Sequence, residues 1–187
     1  MSINTTIDCG SGCSTPIKPV SFSACSAEWI EAEINRIYLA NDGNPLTDWT
    51  SLSEWNSRID NTSTGATAIR ELTVIGSLPV PEQSETVKSD GRTKYGLKNF
   101  TLSADIDDNS DVNYEFVRAT GCNRTYRFWF QTVGGKLYGG PEGILAVLKA
   151  DEDIPNDRNQ DAILKLELKW KSQFRPERIP SPMAIAA

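Results

Sequence analysis

A strictly alternating stretch near the C-terminus, DAILKLELKWK (residues 161–171), constrains the fold more than any other part of the sequence. Apolar side chains occupy every second position, and the positions between them carry mostly charges. Because successive side chains of a β-strand point to opposite faces, this pattern predicts a strand with one buried and one solvated face. Such strands are typical of antiparallel sheets. The predicted buried series is Ala162, Leu164, Leu166, Leu168 and Trp170.

Comparable patterns predict strands along most of the chain. LKNFTLSADI alternates cleanly, and RTYRFWFQTV places aromatic side chains opposite Arg127, Trp129 and Gln131. Shorter strands are predicted in NRIYLA, near residues 68–75 and in EGILAVLKA, and VGGK favours a hairpin turn. We therefore predict a mainly β fold, an antiparallel two-sheet sandwich or barrel with one or two short helices, a long loop and extended terminal arms. In LKNFTLSADI the side chains predicted to share one face are Phe100, Leu102, Ala104 and Ile106. In RTYRFWFQTV they are Tyr126, Phe128 and Phe130.

Two segments between the strands favour short helices. In SDVNYEFVRAT, Ser110 or Asp111 is predicted to be the N-cap. In SLSEWNSRI, Ser51 and Glu54 have the spacing of a capping box, in which each side chain bonds the backbone of the other residue. The predicted apolar faces contain Val112, Phe116 and Ala119 in the first helix, and Leu52, Trp55 and Ile59 in the second.

We expect one domain with two extended ends. Residues 1–25, rich in Ser, Gly, Thr and Pro, are predicted to be an N-terminal arm, residues 26–175 a β-sandwich domain and residues 176–187 a C-terminal tail. Long loops are predicted at about 41–66 and 76–96. Because unstructured loops of this length are uncommon in compact domains, the second loop is expected to be functional or bound to a partner.

Composition excludes several classes of function. The chain has no histidine, which excludes His-based acid–base catalysis, Ser-His-Asp triads and imidazole metal sites. Its net charge of −6 provides no basic excess for bulk binding to nucleic acid. GGKLYGG lacks the spacing of a phosphate-binding loop. No apolar run approaches the roughly 20 residues of a membrane span, and the first residues lack the pattern of a signal peptide. We expect no enzyme activity, no cofactor and no membrane partner.

The four cysteines, Cys9, Cys13, Cys25 and Cys122, leave their chemical state open. A zinc site of four cysteines is conceivable, but the first pair has C-x₃-C spacing where C-x₂-C is usual. Disulfides also remain possible. We favour free thiols in a reducing compartment.

The acidic stretch SADIDDNSDVNYEF (residues 103–116) could be a calcium loop, a set of catalytic carboxylates or a structural corner. A calcium loop that begins at Asp105 would need Gly at its sixth position and Glu at its twelfth, where Ser110 and Phe116 stand. Catalytic carboxylate pairs need environments that separate their pKa values, and a solvated turn does not provide them. We therefore predict a corner between a strand that ends at Ile106 and the helix that follows.

The order of these segments resembles that of a known family. A long loop, TVKSDGRTKYG, leads into the alternating strand LKNFTLSADI, and the helix DVNYEFVRAT follows. The aromatic strand YRFWFQTV, the glycine turn GGKLYGG and the strands GILAVLKA and AILKLELKWK complete the order. Over about residues 70–175 it resembles the tail tube proteins of tailed bacteriophages and their relatives in phage-like injection systems.

The resemblance implies a structural virion protein without catalytic residues. Its subunits are expected to form stacked, usually hexameric rings, whose channel DNA passes without sequence-specific binding, and to contact other virion proteins. The expected location is the virion, assembled in the host cytoplasm. In this family the long loop before the central strand reaches the next ring, which implies contacts between subunits. The candidate contact residues are Pro79, Pro81, Glu82, Lys88, Asp90, Arg92, Lys94, Tyr95, Gly134 and Gly135.

Two other classes remain open. One is a capsid-decorating or head–tail connector protein of a virion. The other is a β-sandwich that binds calcium or carbohydrate through aromatic side chains near Trp49, Trp55, Trp129 and Tyr138. For these aromatic residues we favour core or interface packing.

Overall fold

The computed structural model describes residue 20 and residues 30–62, 65–120, 125–157 and 159–183. The chain divides into two compact units, residues 1–30 and 31–187, and the second contains every described helix and strand. The predicted N-terminal arm lies outside the described residues except for Val20, and so do all four cysteines.

Every strand and helix predicted from the sequence is present, together with three short strands that were not predicted. In chain order the elements are β1 (Ile34–Asn41), α1 (Leu52–Arg58), β2 (Arg70–Ser77), β3 (Glu82–Val87), β4 (Thr93–Ile106), α2 (Asp111–Thr120), β5 (Thr125–Thr132), β6 (Lys136–Tyr138), β7 (Ile144–Asp153), β8 (Ile163–Ser172) and β9 (Arg178–Pro180). Neither of the two described helices has the length and apolar character that a membrane crossing requires.

Six strands close into one antiparallel barrel, in the order β1–β2–β4–β8–β7–β5, and β5 pairs again with β1. The closing pair runs from Ile34 opposite Thr132 to Asn41 opposite Tyr126. The mainly β, antiparallel prediction is confirmed, but the two-sheet sandwich is not. Because β1 pairs with both β2 and β5, the strands form one continuous sheet that encloses the core.

The barrel interior is filled by the faces that the alternation predicts. The register places Phe100 opposite Trp170 and Leu102 opposite Leu168, so the apolar series of β4 and β8 meet on the inner face. Phe100 and Trp170 stack with ring centroids 5.0 Å apart. The aromatic strand β5 contributes Phe128 to the same cluster. The central strands β4 and β8 therefore have the buried faces that were predicted.

A second apolar cluster lies outside the barrel and covers the other face of β5. It includes Trp55 of α1, Trp129 of β5 and Met183 near the end of the described chain. β9 pairs with β6, and Met183 is buried. The segment predicted as an extended C-terminal tail is therefore packed on the domain through Met183, because its apolar residues complete this cluster.

Both helices differ in detail from their predictions. Ser51 precedes α1, but its side chain makes no capping bond, so the predicted capping box is wrong. Glu54 instead accepts the N–H groups of Thr47 and Asp48, each at 2.7 Å, because the preceding loop folds back toward the helix. Leu52 is exposed, so only Trp55 and Ile59 of the predicted apolar face of this helix are covered.

The predicted apolar face of α2 is also wrong in part. Val112 and Ala119 are exposed, whereas Val117 and Thr120 are buried and Phe116 is half-buried. The difference arises because α2 packs on the barrel mainly through the second half of the helix, and this leaves its first turn in solvent.

Replacing Leu168 by alanine should lower the free energy of unfolding by about 2–5 kcal/mol, because it opens a cavity inside the closed barrel. Val147→Ala is the matched control, since Val147 points outward from the neighbouring strand and is about half exposed. We expect that control to cost less than about 1 kcal/mol. Urea denaturation monitored by tryptophan fluorescence measures both, and equal losses would contradict the described core.

Candidate functional site

Residues 76–96, predicted to be an unstructured loop, form most of a β-hairpin. β3 runs antiparallel to the first half of β4, from Glu82 opposite Asn99 to Val87 opposite Thr93. The second half of β4 continues into the barrel and pairs with β8 from Lys98 to Ile106. All of β3 is exposed. The hairpin therefore projects beyond the part of β4 that the barrel encloses.

Local hydrogen bonds order the tip of this hairpin. The N–H of Lys88 donates to the carbonyl of Arg92 at 2.8 Å, and the N–H of Gly91 donates to the carbonyl of Lys88 at 2.9 Å. Gly91 has a φ of 78°, a conformation that favours glycine. The Arg92 guanidinium donates to Asp90 at 2.7 Å, and this bond, together with one from the Arg92 backbone, lowers the pKa of Asp90.

Exposed apolar side chains are grouped on one part of the hairpin. The register places Glu85 opposite Tyr95 and Val87 opposite Thr93, so these four side chains share one face. Val87 is 70% exposed and Tyr95 60% exposed. Leu97, at the irregular step in the register, is 52% exposed. Exposed apolar side chains grouped in this way are typical of a contact surface for another protein.

Side-chain contacts accompany the irregular step. The Gln83 side chain donates to the carbonyl of Gly96 at 2.8 Å. The Ser84 hydroxyl occupies the space that a Cβ atom at position 96 would take. The step locally interrupts the ladder between β3 and β4, and beyond it the regular pairing resumes.

The structure brings most of the predicted contact residues together. Pro79 and Pro81 lie in the connection before β3, and Gly134 and Gly135 lie in the separate turn between β5 and β6. The carbonyl of Gly135 accepts the N–H of Ser181 at 2.8 Å, so the C-terminal segment covers that turn. The role of all ten predicted residues as contacts between subunits stays a prediction. The predicted contact residues on the hairpin itself are Glu82, Lys88, Asp90, Arg92, Lys94 and Tyr95.

Sequence reasoning missed Val87 and Leu97. Each stands alone among polar neighbours, in SETVKSD and KYGLKN. A single apolar side chain in a polar segment is common on protein surfaces, so neither residue gave a signal of its own. Their grouping depends on the pairing of β3 with β4, which the sequence did not indicate.

Both edges of the hairpin are unpaired within the described part of the chain. β3 pairs only with β4, and residues 93–97 of β4 have no partner on their other side because β8 begins to pair at Lys98. Unpaired strand edges present N–H and C=O groups to any other strand. A two-stranded hairpin is by itself only marginally stable in water. This hairpin is therefore the candidate interface for assembly.

Trp49, Trp55 and Trp129 do not form a ligand platform. Trp55 and Trp129 are buried, with ring centroids 5.4 Å apart in an edge-on arrangement. The Trp55 indole donates to the carbonyl of Trp49 at 2.9 Å, and the Trp129 indole donates to that of Gly140 at 2.7 Å. Tyr138 stacks on Phe130 at 4.7 Å. The favoured interpretation as core residues is confirmed for Trp49, Trp55 and Trp129.

The acidic stretch is a structural corner, as predicted. β4 ends at Ile106 and α2 begins at Asp111. The carboxylate of Asp108 accepts the N–H of Ser110 at 3.2 Å, and the amide of Asn109 donates to Glu152 at 2.7 Å. Asp108, two or three positions before the predicted cap residues Ser110 and Asp111, supplies the side chain that bonds the backbone here. Among the residues that the structure describes, no group of acids gathers as a metal site.

Comparisons with known proteins leave the family open. No family model and no curated protein matches the sequence. A similar solved structure is a chain of the "Cryo-EM structure of the anti-feeding prophage (AFP) baseplate, 6-fold symmetrised", with 12% sequence identity and a TM-score of 0.37 over 84% of this chain and 99% of that chain. A similarity of this size does not establish a shared fold, and the function is therefore inferred from the geometry of this chain.

Gly143→Ala tests whether Trp129 sits in a filled core or beside an open cleft. A Cβ atom at position 143 would lie 2.6 Å from the Trp129 ring, at a φ of 71° that disfavours alanine. We expect a loss of about 1–3 kcal/mol in the free energy of unfolding. Gly91→Ala is the control, because Gly91 has a similar φ of 78° but no heavy atom lies within 4 Å of its Cβ position, so it carries the backbone strain without the clash. Urea titration measures both variants, and equal losses would contradict the packing of this cluster.

Proposed function

We propose that the protein is a structural subunit of a tailed-phage virion or of a related phage-like injection particle, and that it assembles with copies of itself as a tail tube. In this proposal the subunits form rings around a channel for DNA, and no catalytic activity is involved. The projecting hairpin of β3 and β4 carries the proposal, because it combines unpaired edges with exposed apolar side chains.

Within the described part of the chain, this hairpin has apolar side chains without cover and strand edges without partners. Val87, Tyr95 and Leu97 are each more than half exposed. The strand pairs of the hairpin continue those of the barrel, but beyond Lys98 no described strand flanks them on the side of β8. A neighbouring subunit would remove this apolar surface from water and pair the open edges, and both changes favour association. The order of elements that resembles tail tube proteins is consistent with this use.

A second candidate is a head–tail connector or capsid-decorating protein of the same kind of particle. The closure of the barrel favours it. In the family that the sequence resembles, inner strands of neighbouring subunits join into a shared barrel, whereas here β1 and β5 already pair with each other. A connector would use the hairpin to bind a different virion protein, and it would not form tubes alone.

Concentrated, purified protein is expected to form rings or short hollow tubes in negative-stain electron micrographs. Val87→Ser with Tyr95→Ser should weaken self-association about a hundredfold, because each change removes about 1.4 kcal/mol of apolar burial, a factor of about ten, from a repeated contact. Sedimentation velocity measures the association of both proteins.

The matched control is Val112→Ser on α2. Val112 is 77% exposed, but it lies on a different element. It should assemble like the unmodified protein. A strictly monomeric unmodified protein would refute the tube, and association that appears only after another virion protein is added would favour the connector.

A further inference from the structure

We infer that a cleft in the barrel wall, between the start of β7 and the end of β8, binds a small amphipathic anion. The ligand class is a molecule with an apolar body and a single negative charge, such as a medium-chain fatty acid. The cleft has a volume of about 600 Å³. This inference goes beyond the proposed function and does not depend on self-assembly.

The cleft exists because the ladder between β7 and β8 stops before the barrel wall ends. The last pair of this ladder is Val147 opposite Lys169. Residues 144–146 of β7 continue beside β5, and residues 170–172 of β8 continue beside β4. Among the described strands, none lies between these two segments. The wall therefore divides at this end and leaves a depression between the two strands.

Apolar side chains line the cleft from both strands. On β7, Leu145 and Val147 are 47% and 49% exposed. On β8, Trp170 lines the cleft and stacks on Phe100 with ring centroids 5.0 Å apart, so the core holds it in place. A concave site with mainly apolar walls is typical of a pocket for a small molecule. Contact with these walls would remove the apolar body of a ligand from water, which favours binding.

The charge at the cleft is positive. Of the described residues that line it, only Lys169 and Lys171 are charged. Lys169 pairs with Glu167 of its own strand at 2.9 Å, whereas Lys171 forms no ion pair with a described residue. The cleft therefore places one uncompensated cation beside apolar surface. Charge complementarity favours a ligand with one negative charge over a neutral or a cationic ligand.

The width of the cleft suits a short alkyl chain. Its lining extends from Asn99 and Thr101 of β4, across β8 and β7, to Thr125 of β5. Three strand spacings amount to about 14 Å. The alkyl chain of decanoate has a similar length when it is extended. Such a chain would lie along Leu145 and Val147 with its carboxylate beside Lys171.

Three ligands with the same alkyl chain test the site and its charge preference. Decanoate, decanol and decyltrimethylammonium are titrated into the full chain by isothermal titration calorimetry, below the concentrations at which the two ionic ligands form micelles. Decanoate should bind at a single site per chain and at least about tenfold more tightly than decyltrimethylammonium, with decanol between them. Decanoate should also raise the melting temperature, because a ligand that binds the folded state stabilises it.

Two variants, each with a matched control, locate the site. Lys171→Met should weaken decanoate binding about fivefold without weakening decanol binding, because it removes the charge and keeps an apolar side chain. Its control is Lys149→Met, since Lys149 is an exposed lysine further along β7 and outside this cleft. Leu145→Ser should weaken decanoate and decanol binding by the same factor, about fivefold, because it removes part of the apolar wall. Its control is Val112→Ser on α2. Both controls should bind like the unmodified protein, and circular dichroism melts check that every variant is folded.

The outcomes separate this inference from the proposed function. Equal affinities for decanoate and decyltrimethylammonium, or unchanged binding in both Lys171→Met and Leu145→Ser, would overturn the inference and leave the proposed function standing. If the protein binds decanoate when monomeric but not when assembled, a second copy covers the cleft, and the inference is overturned as well. If the protein binds decanoate as expected but never assembles, the proposed tube fails and this inference stands.

Discussion

The pairing of β1 with β5 is the constraint on which the rest of the structure depends. It turns a row of strands into a closed barrel and thereby defines an inside and an outside for β5. Phe128 and Phe130 point inward, so Trp129 and Gln131 must point outward, and both are buried. The second apolar cluster follows from this requirement, because a large indole on the outer face needs its own cover. In this cluster burial raises the pKa of Tyr38, whose hydroxyl donates to Gln131 at 3.3 Å.

Closure also determines where the chain can meet other proteins. The closing strands β1 and β5 are paired on both sides where they form the barrel. The unpaired strand edges that project from the barrel belong to the hairpin of β3 and the first half of β4. The barrel therefore carries the hairpin as a projection that has few contacts with the rest of the domain. Under the proposed function, each subunit would keep its own closed core while the hairpin makes the contact with other subunits.

The sequence predicts the parts of this fold that are solvated on one face only. β4 and β8 alternate from Phe100 to Ile106 and from Leu164 to Trp170, and both assignments are confirmed. The hairpin was missed because β3 is exposed on both faces, so its side chains carry no period of two. The apolar cluster that covers Trp129 and the hydrogen bonds that Glu54 accepts were missed for another reason. Both are formed by segments that lie outside the alternating strands. The contact residues were predicted by position, from a resemblance, and their grouping on one hairpin became visible only with the strand register.

β4 is a single strand of 14 residues that belongs to the hairpin at one end and to the barrel at the other. A pull on the hairpin acts along this strand, parallel to its length. It would load the bonds between β4 and β8, from Lys98 to Ile106, all at once, and not one after another as in peeling. Bonds that share a load in this way resist it far better than bonds that open singly. A subunit linked through this hairpin would thus transmit tension directly into the barrel.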